Sequence, residues 1–245
     1  MSHPFRLYGH RGDAAHHPEN TLAAFESAVE KGVDALETDV RMTSDGEIVV
    51  FHDADGARTC GTPERVIDQP WSVVRGWEAG DGQHPMRLSE LMEAFPTLFL
   101  NVDVKDDLEE AALRTLEVVR ASGREQTVGL ATFHPAVSEV LRRAGWRGQM
   151  GLVSREVAAA RLLPSMVGRA FIHGNAAQIP THRGRIRLDG PRFIRRCHKL
   201  GLRVDYWTID DPAEALALVA RGADGIVTND PGAVGAALEA RGVTS

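Results

Sequence analysis

Short apolar runs alternate with helical stretches along nearly the whole chain, and no other feature limits the fold as strongly. The pattern predicts strands over Phe5–His10, Ala35–Met42, Ile48–His52, Leu98–Lys105, Thr127–Phe133, Gln149–Val153, Ala170–His173, Arg203–Ile209 and Gly225–Thr228. It predicts helices over Thr21–Lys31, Leu88–Phe95, Leu108–Ser122, Pro135–Ala144, Arg155–Leu163, Pro191–Leu200, Pro212–Ala220 and Pro231–Ala240. Several of these helices open on Pro, whose fixed φ suits a first turn. Gly32, Gly123, Gly145, Gly201, Gly222 and Gly242 follow helical stretches, where glycine ends a helix. Strand followed by helix, repeated, implies parallel strands with helices packed outside.

Nine candidate strands are one too many for an eight-fold barrel. The segment Thr43-Ser44-Asp45-Gly46-Glu47 accounts for the extra one, because Asp-Gly between two β-like runs signals a tight hairpin. The third strand is then antiparallel to the second. A Ser44–Glu47 pairing would set Asp39 opposite His52. The expected fold is α/β, a (β/α)8 TIM barrel with an added hairpin strand and a short insertion, forming one domain over residues 1–245. An open doubly wound sheet is the competing architecture, but no glycine-rich dinucleotide fingerprint follows the first strand. Residues 53–87 are irregular and rich in Gly, Pro and charge, with Trp71 and Trp77 interspersed. A loop of that length is either a lid or a surface excursion.

With 28 Lys and Arg against 34 Asp and Glu, the net charge is −6. That balance argues against a broad footprint for nucleic acid or anionic lipid, though not against a small cationic pocket. Cys60 and Cys197 form no zinc-type cluster. The chain opens without a signal-peptide pattern and has no apolar stretch long enough to span a bilayer, so a cytoplasmic protein without stable membrane insertion is expected.

In a barrel of this kind, active sites gather where strands end. Polar residues fall there repeatedly: His10 and Arg11, then Glu37 and Asp39, His52 and Asp53, and Asn101, Asp103 and Lys105, with Trp207 late in a further strand. Glu37 and Asp39 share one face of a strand, as do Asn101, Asp103 and Lys105, while Val102 and Val104 face the other way. A strand buried on both faces is ordinarily apolar. If Glu37, Asp39 and Asp103 converge, each like-charge pair about 4 Å apart repels by roughly 4 kcal/mol at an effective dielectric near 20. One divalent cation, Mg²⁺ or Ca²⁺, would remove that repulsion and suits oxygen ligands. Lys or Arg in a structural ion network would also remove it. Asn20 or Thr21 suits a helix cap.

The order His10-Arg11-Gly12, Pro18-Glu19-Asn20-Thr21, Glu37-Thr38-Asp39, Ser44-Asp45-Gly46, His52-Asp53 and Asn101-Val102-Asp103-Val104-Lys105 resembles the glycerophosphodiester phosphodiesterase family, bacterial cytoplasmic type. So do Tyr206-Trp207-Thr208 and the segment from Gly222 to Pro231. The resemblance implies a barrel enzyme that hydrolyses glycerophosphodiesters to an alcohol and sn-glycerol 3-phosphate with a divalent cation. It implies His10 and His52 as the acid–base pair, and Glu37, Asp39 and Asp103 as metal ligands. It further implies Arg11 and Lys105 as phosphate contacts and Trp207 as the wall beside the glycerol. Two departures stand out: Asp103 replaces the family's usual Glu, and Ala131-Thr132-Phe133-His134 replaces a Ser-Ser-Phe-like strand end. Two alternatives stand beside this reading: a lysophospholipase D-type phosphodiesterase that can form a cyclic phosphate, and a catalytically weak phosphate-binding protein. The partner expected is a small-molecule substrate. Head group, metal preference and oligomeric state have no signature in the sequence.

Overall fold

The computed structural model describes residues 3–243. The order is β1 (Arg6–His10), α1 (Leu22–Glu30), β2 (Ala35–Met42), β3 (Ile48–Val50), α2 (Trp71–Val74), α3 (Leu88–Ala94), β4 (Phe99–Val104), α4 (Glu109–Ala121), β5 (Val128–Ala131), α5 (Pro135–Arg143) and β6 (Gln149–Met150). The chain continues with α6 (Ser154–Leu162), α7 (Ser165–Arg169), β7 (Ala176–Ile179), β8 (His182–Arg183), β9 (Ile186–Arg187), α8 (Pro191–Lys199), β10 (Arg203–Tyr206), α9 (Pro212–Ala220), β11 (Gly225–Thr228) and α10 (Pro231–Glu239). The strands run in the order β6-β5-β4-β2-β1-β11-β10-β7, and β3 pairs antiparallel with β2. A parallel bridge between Gly151 and Ala176 closes the ring, with the Leu152 N–H donating to the Ala176 carbonyl at 2.9 Å. The result is the expected (β/α)8 TIM barrel with an extra hairpin strand.

The helices are amphipathic and bury their apolar face on the outside of the barrel. Leu36, Val40, Leu100, Val102, Val104 and Leu130 of the strands pack with Phe25, Leu116, Leu141, Ile194, Leu218 and Val234 of the helices in one core. The outward faces of the strands are therefore apolar, as Val102 and Val104 foretold. The inward faces are filled in layers. Toward the N-terminal ends of the strands, Arg6 lies over the Phe99 ring at 3.8 Å and donates to Gln149 Oε1 at 3.0 Å. Beside it, Arg203 Nε pairs with Asp205 Oδ1 at 2.7 Å, and its other nitrogens donate to the carbonyls of Pro4 and Asp224 at 2.6 Å each. Burial pushes the Asp205 carboxyl up, and Arg203 opposes that shift. The barrel is thus plugged at one end and open only at the other.

Three local expectations are corrected. The Asp-Gly connection is a three-residue loop: the Thr43 N–H donates to the Glu47 carbonyl at 2.9 Å, and Gly46 takes φ 83°. A left-handed glycine after a type I-like turn gives this bulged hairpin. Pairing shifts by one residue, so Val40 faces Val50, and the Asp39 carbonyl accepts from Phe51 rather than lying opposite His52. The run Ala170–His173 is not a strand but the exit from α7; pairing begins at Ala176. The actual strand reads Ala-Ala-Gln-Ile, and its partner β10 imposes the extended state along all four residues. Trp207 follows β10 rather than lying within it.

Residues 53–87 hold a short 3₁₀ turn at Val66–Asp68 and α2. They build a second small core in which Val66, Val74 and Trp77 pack on Val49 and Phe51. Among the described residues no helix is long and apolar enough to cross a membrane. The buried Arg203–Asp205 pair gives a first prediction. Arg203→Met would leave Asp205 with only the Tyr8 hydroxyl at 3.4 Å. Chemical denaturation should show a loss of about 3–5 kcal/mol; a loss below about 1 kcal/mol would mean the pair does not hold the barrel floor.

Candidate active site

Alternation along each strand carries the inward face from apolar filler to charge at the open end. On β1 this face reads Arg6, Tyr8, His10; on β2 it reads Ala35, Glu37, Asp39; on β4 it reads Phe99, Asn101, Asp103. Parallel pairing sets His10 beside Glu37, Glu37 beside Asn101, and Asp39 beside Asp103. A cavity of about 250 Å³ opens there, and His10, Arg11, Glu37, Asp39, His52, Asp103, Lys105 and Trp207 all line it. The eight residues singled out in the sequence thus meet in one place.

Three carboxylates share this small volume with two cations. Lys105 Nζ lies 2.8 Å from Asp39 Oδ1 and 2.7 Å from Asp103 Oδ2. Arg11 Nε lies 2.9 Å from Asp39 Oδ2, and its Nη1 donates to Glu19 Oε1 at 2.9 Å. Burial alone would raise the Asp39 carboxyl, but Lys105 and Arg11 outweigh it and hold it below its ordinary value. At Glu37 the balance reverses: burial pushes it well up, the Asp39 charge adds to the shift, and Lys105 and Arg11 oppose it without overcoming it. Burial likewise raises Asp103, partly opposed by Lys105.

The donor set fits a divalent cation. Asp103 Oδ1 is buried with no hydrogen-bond partner, and burial raises the Glu37 and Asp103 carboxyls despite Lys105, so their ionised forms lack full stabilisation without a further cation. Among the described residues, the one set of three acidic or imidazole ligand atoms lying within 4.8 Å of one another is a different one, Asp13, His16 and Asp230. There Asp13 is already balanced by Lys31 and accepts from Ser27 Oγ at 2.7 Å. Glu37, Asp39 and Asp103 are not drawn that tightly, and the Lys105 ammonium stands between two of them.

Each imidazole is held through its Nδ1. Asn229 Nδ2 donates to Asp210 Oδ2 at 2.8 Å, which turns Asn229 Oδ1 toward His10 Nδ1 at 2.7 Å. His10 must therefore carry its proton on Nδ1, leaving Nε2 as the acceptor, 3.8 Å from Glu37 Oε2. Burial, and then Arg11, lower the His10 pKa from its ordinary value. His52 Nδ1 meets Asp53 Oδ1 at 2.6 Å, and Asp53 Oδ2 accepts from Arg58 Nε at 2.6 Å. Arg58 also spans to both oxygens of Glu19 at 2.7 and 2.8 Å, joining residues 53–87 to the Arg11 side of the cavity.

The turn after β1 is strained. Arg11 takes φ 55° and Asn20 φ 58°, a region costly for residues with a Cβ, by about 1–3 kcal/mol each. The Arg11 N–H donates to the Glu37 carbonyl, and the Asn20 N–H to the Arg11 carbonyl, each at 2.9 Å. Thr21 caps α1, whereas Asn20 instead donates to Asp39 Oδ2 at 3.2 Å. Asn20, Glu19, Arg58, Asp210 and Asn229 are site residues whose positioning the sequence reading did not assign. Asn20 suits a helix cap as well as Thr21 does, Glu19 beside it has no distinguishing pattern, and nothing near Asp210 signals a partner nineteen positions away. At the mouth, Phe133 stands edge-on to Trp207 with centroids 5.9 Å apart. His134 Nε2 turns outward to the Lys105 carbonyl at 3.1 Å and is absent from the cavity wall.

A barrel whose open end joins two oriented imidazoles to carboxylates and cations has the groups needed for acid–base chemistry on an anionic substrate. Comparison with known proteins narrows the class. The model of the glycerophosphoryl diester phosphodiesterase family matches residues 10–233, and the chain belongs to that family. It is 29% identical to a glycerophosphodiester phosphodiesterase of Caldanaerobacter subterraneus, over 92% of this chain and 94% of that one. It is 27% identical to a lysophospholipase D of Rattus norvegicus, over 92% and 83%. In fold it matches an Oleispira antarctica phosphodiesterase solved with its product sn-glycerol-3-phosphate, with TM-score 0.77, 21% identity and 97% of each chain covered.

Asn229 meets His10 at Nδ1 and so orients its ring. Asn229→Ala should lower turnover by about tenfold or more and alter the pH–rate profile while the melting temperature stays near that of the parent. An unchanged rate and profile would remove Asn229 from any positioning role.

Proposed function

We propose that this phosphodiesterase hydrolyses glycerophosphodiesters to an alcohol and sn-glycerol 3-phosphate, with His10 and His52 as the acid–base pair. The observation that carries the reading is the meeting of both imidazoles, three carboxylates and two cations in one cavity of about 250 Å³. That volume suits a small head group with its phosphate.

His10, with its proton held on Nδ1 and its pKa lowered by burial, is suited to take a proton at Nε2 from the attacking hydroxyl. His52, backed by Asp53 at Nδ1, is suited to deliver a proton from Nε2 to the leaving alcohol. Arg11 and Lys105 bring positive charge to the phosphoryl oxygens, where negative charge grows during attack. In the cyclising variant of the scheme, the attacking group is the glycerol 2-hydroxyl, and water later opens the cyclic phosphate. Trp207, braced by Phe133, offers an apolar wall for the glycerol carbons. Glu37, Asp39 and Asp103 would hold one divalent cation, Mg²⁺ or Ca²⁺. Bound there, it would add Lewis-acid stabilisation of the same developing charge.

A second reading rests on the mouth of the cavity. Phe133 is 56% exposed beside Trp207, an apolar edge against which a single acyl chain could lie. A lysophospholipid would then be the substrate, and phosphorus NMR of the products would separate the two, as well as hydrolysis from cyclisation.

His10→Ala and His52→Ala should each reduce turnover of glycerophosphocholine by about 10²–10⁴-fold without loss of fold. Near-normal activity in either folded variant rejects its acid–base role. Exhaustive chelation should abolish turnover, and added Mg²⁺, Ca²⁺ or Mn²⁺ should restore it; full activity in the chelated protein would dismiss the cation.

A further inference from the structure

The net charge of −6 conceals a strong segregation of charge. Between residues 154 and 201 there are ten Lys and Arg against two Asp and Glu, whereas the chain as a whole has 28 against 34. Neither acid in that stretch offers charge to the surroundings. Glu156 is buried and accepts from the Val153 and His173 N–H groups at 3.1 and 3.0 Å. Asp189 is chelated by Arg187 at 2.7 and 3.0 Å and meets Arg221 at 2.6 Å.

The fold draws the uncompensated cations together. α8 buries Phe193, Ile194 and Cys197, which turns Arg192, Arg195, Arg196 and Lys199 to its outer side. With Arg161 of α6 they line a groove of about 930 Å³. Arg196 donates to the Ala160 carbonyl but keeps a buried Nη2 without a partner. The other flank of α6 is largely apolar: Ala158, Leu162 and Phe171, with Arg155 and His173, line a second groove of about 490 Å³. Large apolar side chains project from this flank and the adjoining α7, with Leu162 74%, Met166 92% and Phe171 57% exposed.

We propose that this face docks peripherally on an anionic phospholipid bilayer. The arginines take lipid phosphates, and Leu162, Met166 and Phe171 enter the boundary between head groups and acyl chains. Basic residues beside exposed aliphatic ones are what such a surface recognises. A nucleic acid would meet the arginines equally well, but its phosphate backbone has nothing to bury Leu162 and Met166. The placement also suits attachment. α6 runs back from the open end of the barrel, and Phe171 leads into the start of β7. The apolar flank therefore lies away from the cavity mouth, which stays open to water. This inference does not depend on the substrate proposed above.

Co-sedimentation of the full chain with vesicles tests it. Binding is expected to equal parts of phosphatidylcholine and phosphatidylglycerol and not to phosphatidylcholine alone, and it should weaken as salt is raised. The double variant Arg192→Glu with Arg195→Glu should lower partitioning by at least about tenfold. Leu162→Asp with Met166→Asp should lower it several-fold, both double variants keeping the parental circular dichroism and melting temperature. Absence of binding to the anionic vesicles at low salt overturns the proposal. So does binding that survives the apolar substitutions but is lost to competing single-stranded RNA, which would make the groove a nucleic-acid site.

Discussion

The structure turns on the crowding of Glu37, Asp39 and Asp103 at the ends of two neighbouring strands. Parallel pairing sets Asp39 directly beside Asp103, and burial denies both the solvation a carboxylate needs. Lys105, two residues beyond Asp103, bridges the pair, and Arg11 reaches Asp39 from the next strand end. Buried charge of one sign persists only where charge of the other sign is built in beside it. The compensation is unequal: Lys105 and Arg11 outweigh burial at Asp39 but not at Glu37, and one oxygen of Asp103 has no partner. That inequality is the ground on which a cation is proposed there.

Around this centre the supporting groups come from distant parts of the chain. Residues 53–87 add no side chain to the cavity wall. They reach it through Arg58, which clamps Asp53 and Glu19 and so steadies both His52 and Arg11. The strained turn at Arg11 is tied by backbone hydrogen bonds to β2 and to Asn20. Asp210, through Asn229, decides which nitrogen of His10 can accept a proton. The groups that line the cavity are thus steadied by side chains from loops, Arg58, Asn20 and Asp210, each pinned by its own hydrogen bonds.

Charge is organised at a second scale as well. The acidic excess lies in the rest of the chain, while the stretch from α6 to α8 is strongly basic. A net value averages over these and hides both. The distinction matters because a cationic groove acts on its surroundings within about a Debye length, roughly 8–10 Å, and not through the total charge.

Much of the fold and of the cavity was legible along the chain. Strand–helix alternation implies parallel strands with helices outside, the missing glycine fingerprint favours the barrel over an open sheet, and the two-residue spacing of Glu37 with Asp39 and of Asn101, Asp103 and Lys105 fixes which side chains share a face. Local chemistry suffices for both, since side-chain direction repeats every two residues in a strand. What stayed hidden depended on partners remote in sequence. Ala176–Ile179 is a strand because β10 and the ring require one there, not because its alanines favour it. Asp39 pairs one residue away from the expected register because Gly46 adopts a left-handed conformation in a three-residue loop. Asn229 orients His10, Asn20 reaches Asp39, and scattered arginines line one groove only once the barrel closes. The sequence by itself determined the architecture and the residues facing the cavity; the tertiary structure alone decided the hydrogen-bond partners, the tautomer and the balance of charge, because these depend on distances between segments that only folding brings together.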